Sequence, residues 1–125
     1  MIVGLGIDLV DADRIARELD REQWQAANGI FTTAEIGYCK VASRPERRYA
    51  ACFAAKEATL KALGTDIADL GIFREVEIRL DGEGDGAVLL RKRLRTMARK
   101  LGARHINLSV AVRAKSAVAM VILES

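Results

Sequence analysis

PERRYAACFAAKEATLKALG, residues 45–64, is the stretch whose reading decides the fold. Pro45 suits the first turn of a helix and Gly64 suits the position just past its end. Between them lie alanines, leucines, lysines and other strong helix formers. The spacing predicts one long helix with Phe53 and Leu60 on a stripe turned toward a core. Glu57 falls at the boundary of that stripe, with Lys61 one turn further on. Two readings of Glu57 follow. One is an ordinary surface pair with Lys61, worth a few tenths of a kcal/mol; the other is a carboxylate kept for chemistry.

Toward the N-terminus, Ile2 to Val10 (IVGLGIDLV) is almost wholly apolar, with glycines at 4 and 6 and one acid, Asp8. It reads as a buried strand. A carboxylate in such a strand is costly without compensation. Asp8 is therefore either a capping or salt-bridged acid, or a metal ligand or base. Asp11-Ala-Asp13 offers caps for a helix through about Leu19, and residues 21 to 31 suggest a further helical piece closed by Asn28-Gly29. Thr32 and Glu35 form a capping-box pattern for a helix to about Ala42. Toward the C-terminus, Phe73 to Leu80 alternates as a strand, 81 to 86 is a tight connection, and Ala87 to Leu90 a short strand. A basic helix over 91 to 101 ends at Gly102. Two strands, about 105 to 112 and 116 to 123, turn near Arg113-Ala114-Lys115. The order predicts an α+β fold with a largely antiparallel sheet, as a single domain over 1–125.

The chain has 125 residues, 50% hydrophobic and 30% charged, with one proline. That balance excludes intrinsic disorder and collagen-like or proline-rich architectures. Cys39 and Cys52 form no CxxC and His105 is the only histidine, which argues against a zinc site. No apolar run is long enough for a membrane span, and the start lacks the pattern of a signal peptide, so a cytoplasmic protein without a membrane partner is expected. Twenty Lys+Arg against 17 Asp+Glu give a net charge of +3, which by itself selects no ligand. The cations cluster at Arg14, Arg17 and Arg21, at Arg44 to Lys61, and at Arg91 to Lys100. The last cluster permits a nucleic-acid-binding reading. It lacks interleaved aromatics, and the whole chain is only 5% aromatic, so no nucleic-acid partner is expected.

Taken together, GLGIDLVDADRI at 4–15 and FAAKEATLKALG at 53–64 resemble the holo-acyl-carrier-protein synthases, short 4′-phosphopantetheinyl transferases. The hallmarks of that family are a G-[IL]-G-x-D strand and an F-[AS]-x-KEA-x-x-KA-x-G helix. FTTAE at 31–35, EVEI at 75–78 and AVAMVILE at 117–124 extend the likeness over nearly the whole chain. The resemblance implies the phosphopantetheinyl transferase fold and a Mg²⁺-dependent enzyme. It would move phosphopantetheine from coenzyme A to a serine of an apo acyl carrier protein, releasing adenosine 3′,5′-bisphosphate. Asp8 and Glu57 match the family's metal-binding carboxylates and, with Lys61, are implied to be catalytic. Arg44, Lys56, Lys61, Gly64 and Ser109 are implied to bind the coenzyme. Arg14 and Arg21 match residues that meet the acidic carrier protein. Short members form homotrimers with the coenzyme site between protomers.

The sequence departs from the family at its S-[IL]-S-H motif, which falls on Ser109-Val110-Ala111-Val112. Ser109 is kept, but alanine and valine replace the second serine and the histidine. Loss of a preorganised donor to developing negative charge costs on the order of 10²–10³ in rate. Cys52 also replaces a common arginine, and Gly86 stands where a turn proline is usual. A relative that binds coenzyme A or a carrier protein, with altered or lost transferase activity, is the alternative.

Overall fold

The computed structural model describes residues 1–19, 29–66, 69–80 and 85–125. β1 (Ile2–Asp11) leads into α1 (Ala12–Leu19), then α2 (Thr33–Lys40) and α3 (Pro45–Leu63). A 3-10 turn (Leu70–Glu75) enters β2 (Val76–Leu80), followed by β3 (Asp85–Leu90), α4 (Lys92–Leu101), β4 (His105–Arg113) and β5 (Ser116–Glu124). The strands form one antiparallel sheet in the order β1-β5-β4-β3-β2. The expected α+β class and antiparallel sheet are what the structure contains. The helical piece expected over 21 to 31 falls largely outside the described residues.

Local chemistry accounts for the element ends. Asp11 accepts from the amides of Asp13 and Arg14, which starts α1. Thr32 and Glu35 form the full capping box of α2. Gly64 ends α3 in the left-handed region at φ 70°, and its amide reaches the carbonyls of Leu60 and Lys61. α2 stops at Lys40, two residues short of expectation. The strand expected from Phe73 begins only at Val76. Residues 73–75 stay in the 3-10 turn, with the Phe73 and Val76 carbonyls both turned to the ammonium of Lys56.

α3 lies across the inner face of the sheet and supplies much of the core, with Ala50, Cys52, Ala54, Ala55 and Ala58 fully buried. The alternation of β1 puts Gly4, Gly6, Asp8 and Val10 on that inner face and Leu5, Ile7 and Leu9 outside. Both glycines are forced by packing. A Cβ at Gly6 would run into the Ala58 carbonyl, and one at Gly4 into that of Ala62. Because the strand lies backbone against backbone on the helix, the next inward residue, Asp8, is delivered to the α3 surface.

Candidate active site

Asp8 and Glu57 form the centre of the site. Asp8 is buried, and its Oδ1 accepts from Lys61 Nζ at 2.8 Å. Lys61 Nζ also donates to the Ile7 carbonyl at 3.1 Å. Asp8 Oδ2 is buried and makes no hydrogen bond. The half-buried Glu57 carboxyl is in contact with Asp8. Desolvation, that contact and the Asp8 charge push it from 4.5 up to about 7, while Lys61 and Arg14 pull the other way. Contact with Asp8 raises the Lys61 ammonium. A cleft of about 250 Å³ opens beside the pair, lined by Glu57, Leu60, Lys61, Thr65 and Asp66, and Gly64 caps the helix at its rim.

The two carboxyls, one oxygen of which is buried and unpartnered, have only Lys61 and Arg14 as compensating positive charge. The structure thus answers the first of the open readings: Asp8 is salt-bridged, but with one oxygen left over. Lys61 pairs with Asp8, so the ordinary Glu57–Lys61 surface pair is not formed. Among the described residues there is no cluster of three or more His, Cys, Asp or Glu groups. Asp8 and Glu57 offer oxygen donors only, a chemistry that fits a hard cation that keeps waters and substrate oxygens for its other positions.

Not every expected site residue joins them. Lys56 is corrected outright: it is fully buried, and its ammonium is used by Glu35 Oε1 at 2.8 Å and by the Phe73 and Val76 carbonyls at 2.6 Å each. Glu57 is its neighbour in sequence, yet about 100° of helix rotation sends the two side chains to opposite environments. Lys56 has no proton left for a coenzyme phosphate.

Arg44 precedes α3 and is separated from Glu57 by thirteen residues, about 20 Å of helix. It lines a different cavity, of about 190 Å³, with Asp13, Glu46, Arg47 and Lys115. Ser109 lies on the outer face of the sheet, in a groove with Gly86, Asn107 and Met120, whereas Asp8 is on the inner face. One chain cannot bring Ser109 to the acid pair. Val112 is half-buried against the core, in register with Ala117 and Val10, two strands from β1. That spacing is about 10 Å, so a histidine there would not touch Asp8 of the same chain. Arg14 is exposed on α1 and close enough to Glu57 to act on its charge. Arg21 lies outside the described residues.

Sequence reasoning missed Thr65 and Asp66 as lining of the cleft, although their place directly after the Gly64 cap was a signal. It also missed Glu35 as the partner of Lys56, for which linear spacing carried no cue.

A model of the 4′-phosphopantetheinyl transferase superfamily matches residues 4–117. The holo-[acyl-carrier-protein] synthase of Koribacter versatilis is 38% identical over 124 residues, covering 99% of both chains. That of Maridesulfovibrio salexigens is 42% identical over 125 residues, again covering 99% of each. Among solved structures, the Neisseria meningitidis holo-[acyl-carrier-protein] synthase superposes with a TM-score of 0.84 at 31% identity, covering 100% of both chains. The Bacillus anthracis holo-(acyl-carrier-protein) synthase, solved in complex with CoA (3′,5′-ADP), gives 0.75 at 33% identity over 100% of this chain and 98% of that one. With glycines that press β1 onto α3 and an Asp8–Glu57 pair at their meeting point, this chain belongs to the 4′-phosphopantetheinyl transferase superfamily.

Proposed function

We infer that this protein is a holo-[acyl-carrier-protein] synthase, which transfers the 4′-phosphopantetheine of coenzyme A to a serine of an apo acyl carrier protein and releases adenosine 3′,5′-bisphosphate. The observation that carries this reading is the Asp8–Glu57 pair with its orphaned Oδ2, set beside Lys61 and an open cleft. Transfer at a pyrophosphate needs charge neutralised and the nucleophile aligned. Asp8 and Glu57 would hold Mg²⁺, and when bound it supplies positive charge to the coenzyme's phosphates. Lys61 presents a half-exposed ammonium on the same side, able to meet a phosphate oxygen while tethered to Asp8. Without a cation, burial and Asp8 push Glu57 up to about 7, and a bound divalent cation would draw it to the charged, ligating form. Residues 1–125 act as one transferase domain, in the cytoplasm.

An oligomer, by resemblance a homotrimer, is supported by the outer sheet face. Leu5, Ile7 and Leu9 of β1 are in register with Ile122, Met120 and Val118 of β5. Leu9 is 68% exposed and Ile7 53%, a contiguous apolar surface that a monomer would have to solvate. The same assembly offers a route by which Ser109, on that face, meets the acid pair of a neighbouring copy. Arg14 beside Glu57, and Arg21, would receive the acidic carrier protein.

The departure at Ala111 and Val112 favours one further reading, a relative that binds coenzyme A while transferring slowly. One experiment separates them: incubation with coenzyme A, Mg²⁺ and a panel of apo carrier proteins, read by mass. Growth of a carrier protein by one phosphopantetheine supports the transferase. Coenzyme binding by calorimetry with no mass change on any carrier would overturn it in favour of the second reading.

A further inference from the structure

The charge of this chain is unevenly placed. Residues 91–104, RKRLRTMARKLGAR, hold seven of its 20 Lys+Arg and none of its 17 Asp+Glu. The remainder is therefore acidic, 13 basic residues against 17 acidic, and the net charge of +3 conceals a strongly basic element on an acidic body.

The fold organises that charge. Leu94 and Ala98 of α4 are buried and fix which side of the helix faces the core. At 100° per residue, Lys92, Arg95 and Arg99 then fall on one outward stripe at i, i+3 and i+7, with Lys100 beside it. All four are exposed, as is Arg104 just beyond the Gly102 cap. Arg93 is committed to Asp69 and Glu75, and Arg91 pairs with Glu77. Lys92, Arg95, Arg99, Lys100 and Arg104 make no ion pair among the described residues. This stripe lies on α4, outside the set of residues around Asp8 and Glu57.

We propose that the α4 stripe is a docking surface for an anionic lipid bilayer. Charge complementarity carries the assignment. The stripe offers long cationic side chains and little apolar surface, because the apolar side of the helix is used by the core. The acidic carrier protein would have its receiving cation at Arg14, beside Glu57, and α4 presents none of the buried aromatic and apolar anchors on which other specific protein interfaces rely. A membrane leaflet needs no anchor. It is a flat field of phosphates that attracts each Lys or Arg brought to its surface. A nucleic acid fits less well: a helix seated in a groove meets phosphates on both flanks, and Asp69, half-exposed beside Arg93, would face one of them. The acidic remainder of the chain would orient the protein with α4 toward the leaflet. The expectation of no membrane partner rests on the lack of a spanning segment or signal peptide, and a surface contact of this kind requires neither.

The test uses the full chain and sucrose-loaded vesicles, pelleted and assayed for bound protein. Vesicles of phosphatidylcholine mixed with phosphatidylglycerol should retain the protein at low salt and release it at high salt, and pure phosphatidylcholine should not bind. Arg95→Glu with Arg99→Glu, on exposed positions, should weaken retention more than tenfold. The milder pair Arg95→Gln with Arg99→Gln should give an intermediate loss, and circular dichroism checks that both remain folded. Retention that ignores salt, or that survives the double Glu variant, would overturn the proposal. So would tighter binding to duplex DNA than to the anionic vesicles at equal phosphate concentration.

Discussion

Helix α3 carries two lysine–carboxylate clusters five residues apart, and they are built to opposite ends. At Lys56 everything is closed. The ammonium meets one carboxylate oxygen and two carbonyls, and Glu35 spends its remaining capacity on the amides of Thr32 and Ile78. Burial pushes the Glu35 carboxyl up and the Lys56 ammonium down, and their mutual contact opposes both. At Lys61 the arrangement is open. The half-exposed ammonium pairs with Asp8 alone, Glu57 stands beside them without an ion pair of its own among the described residues, one Asp8 oxygen has no partner, and a cleft adjoins them. A satisfied buried network holds helices α2 and α3 to β2; an unsatisfied one is left for a ligand to complete. The same residue types in the same helix therefore divide between architecture and chemistry according to whether their hydrogen-bonding capacity is filled.

The contrast breaks most forcefully at Lys56. Lys56→Met leaves Glu35 buried and unpaired, and should cost about 3–5 kcal/mol of stability by urea unfolding. Adding Glu35→Gln removes the stranded charge and keeps one acceptor, but turns its NH2 to the amide of Thr32 or Ile78, and should recover part of that loss. A Lys56→Met protein as stable as the parent would mean the network is not what fastens α2 to α3.

At the open cluster the effect should move from stability to activity. Asp8→Asn and Glu57→Gln each remove a charged ligand but keep the side-chain shape, and transfer should fall on the order of 10²–10³. Stability should stay within about 0.5 kcal/mol, because each change also relieves carboxyl crowding. Full activity in either variant would sink the ligand assignment. Unfolding in both would make Asp8 and Glu57 structural after all.

A smaller change sharpens the partner side. Arg14→Glu should raise the apparent KM for the apo carrier protein several-fold, more at low salt than at high, with coenzyme A binding nearly unchanged. If coenzyme affinity fell in parallel, Arg14 would serve the acid pair itself, beside which it lies.

The smallest effect is in pH. The folded-state value of Glu57 is raised above its unfolded one, from 4.5 to about 7. Between those values the native state binds more protons than the unfolded chain, so this group's contribution to stability declines as pH rises. In metal-free protein the unfolding midpoint should therefore drop from pH 5 to pH 7 by more in the parent than in Glu57→Gln. Equal slopes would show that burial and the Asp8 charge do not raise Glu57.

By itself the sequence determined the elements, because their determinants are local. Pro45, Gly64, the Thr32–Glu35 capping box and the alternation in β1 and β5 act within a few residues. Asp8, Glu57 and Lys61 could be picked out by likeness to a family. Only the tertiary structure decided which of the charged residues work together. Lys56 and Glu57 are adjacent in the chain, but helix rotation buries one beside Glu35 and turns the other to Asp8. Arg44 shares a helix start with α3 but is separated from Glu57 by that helix's length, and Ser109 shares a sheet with Asp8 but points from its other face. Which donors a charge can reach depends on how strands and helices meet across long stretches of chain, and that information is absent from spacing along it.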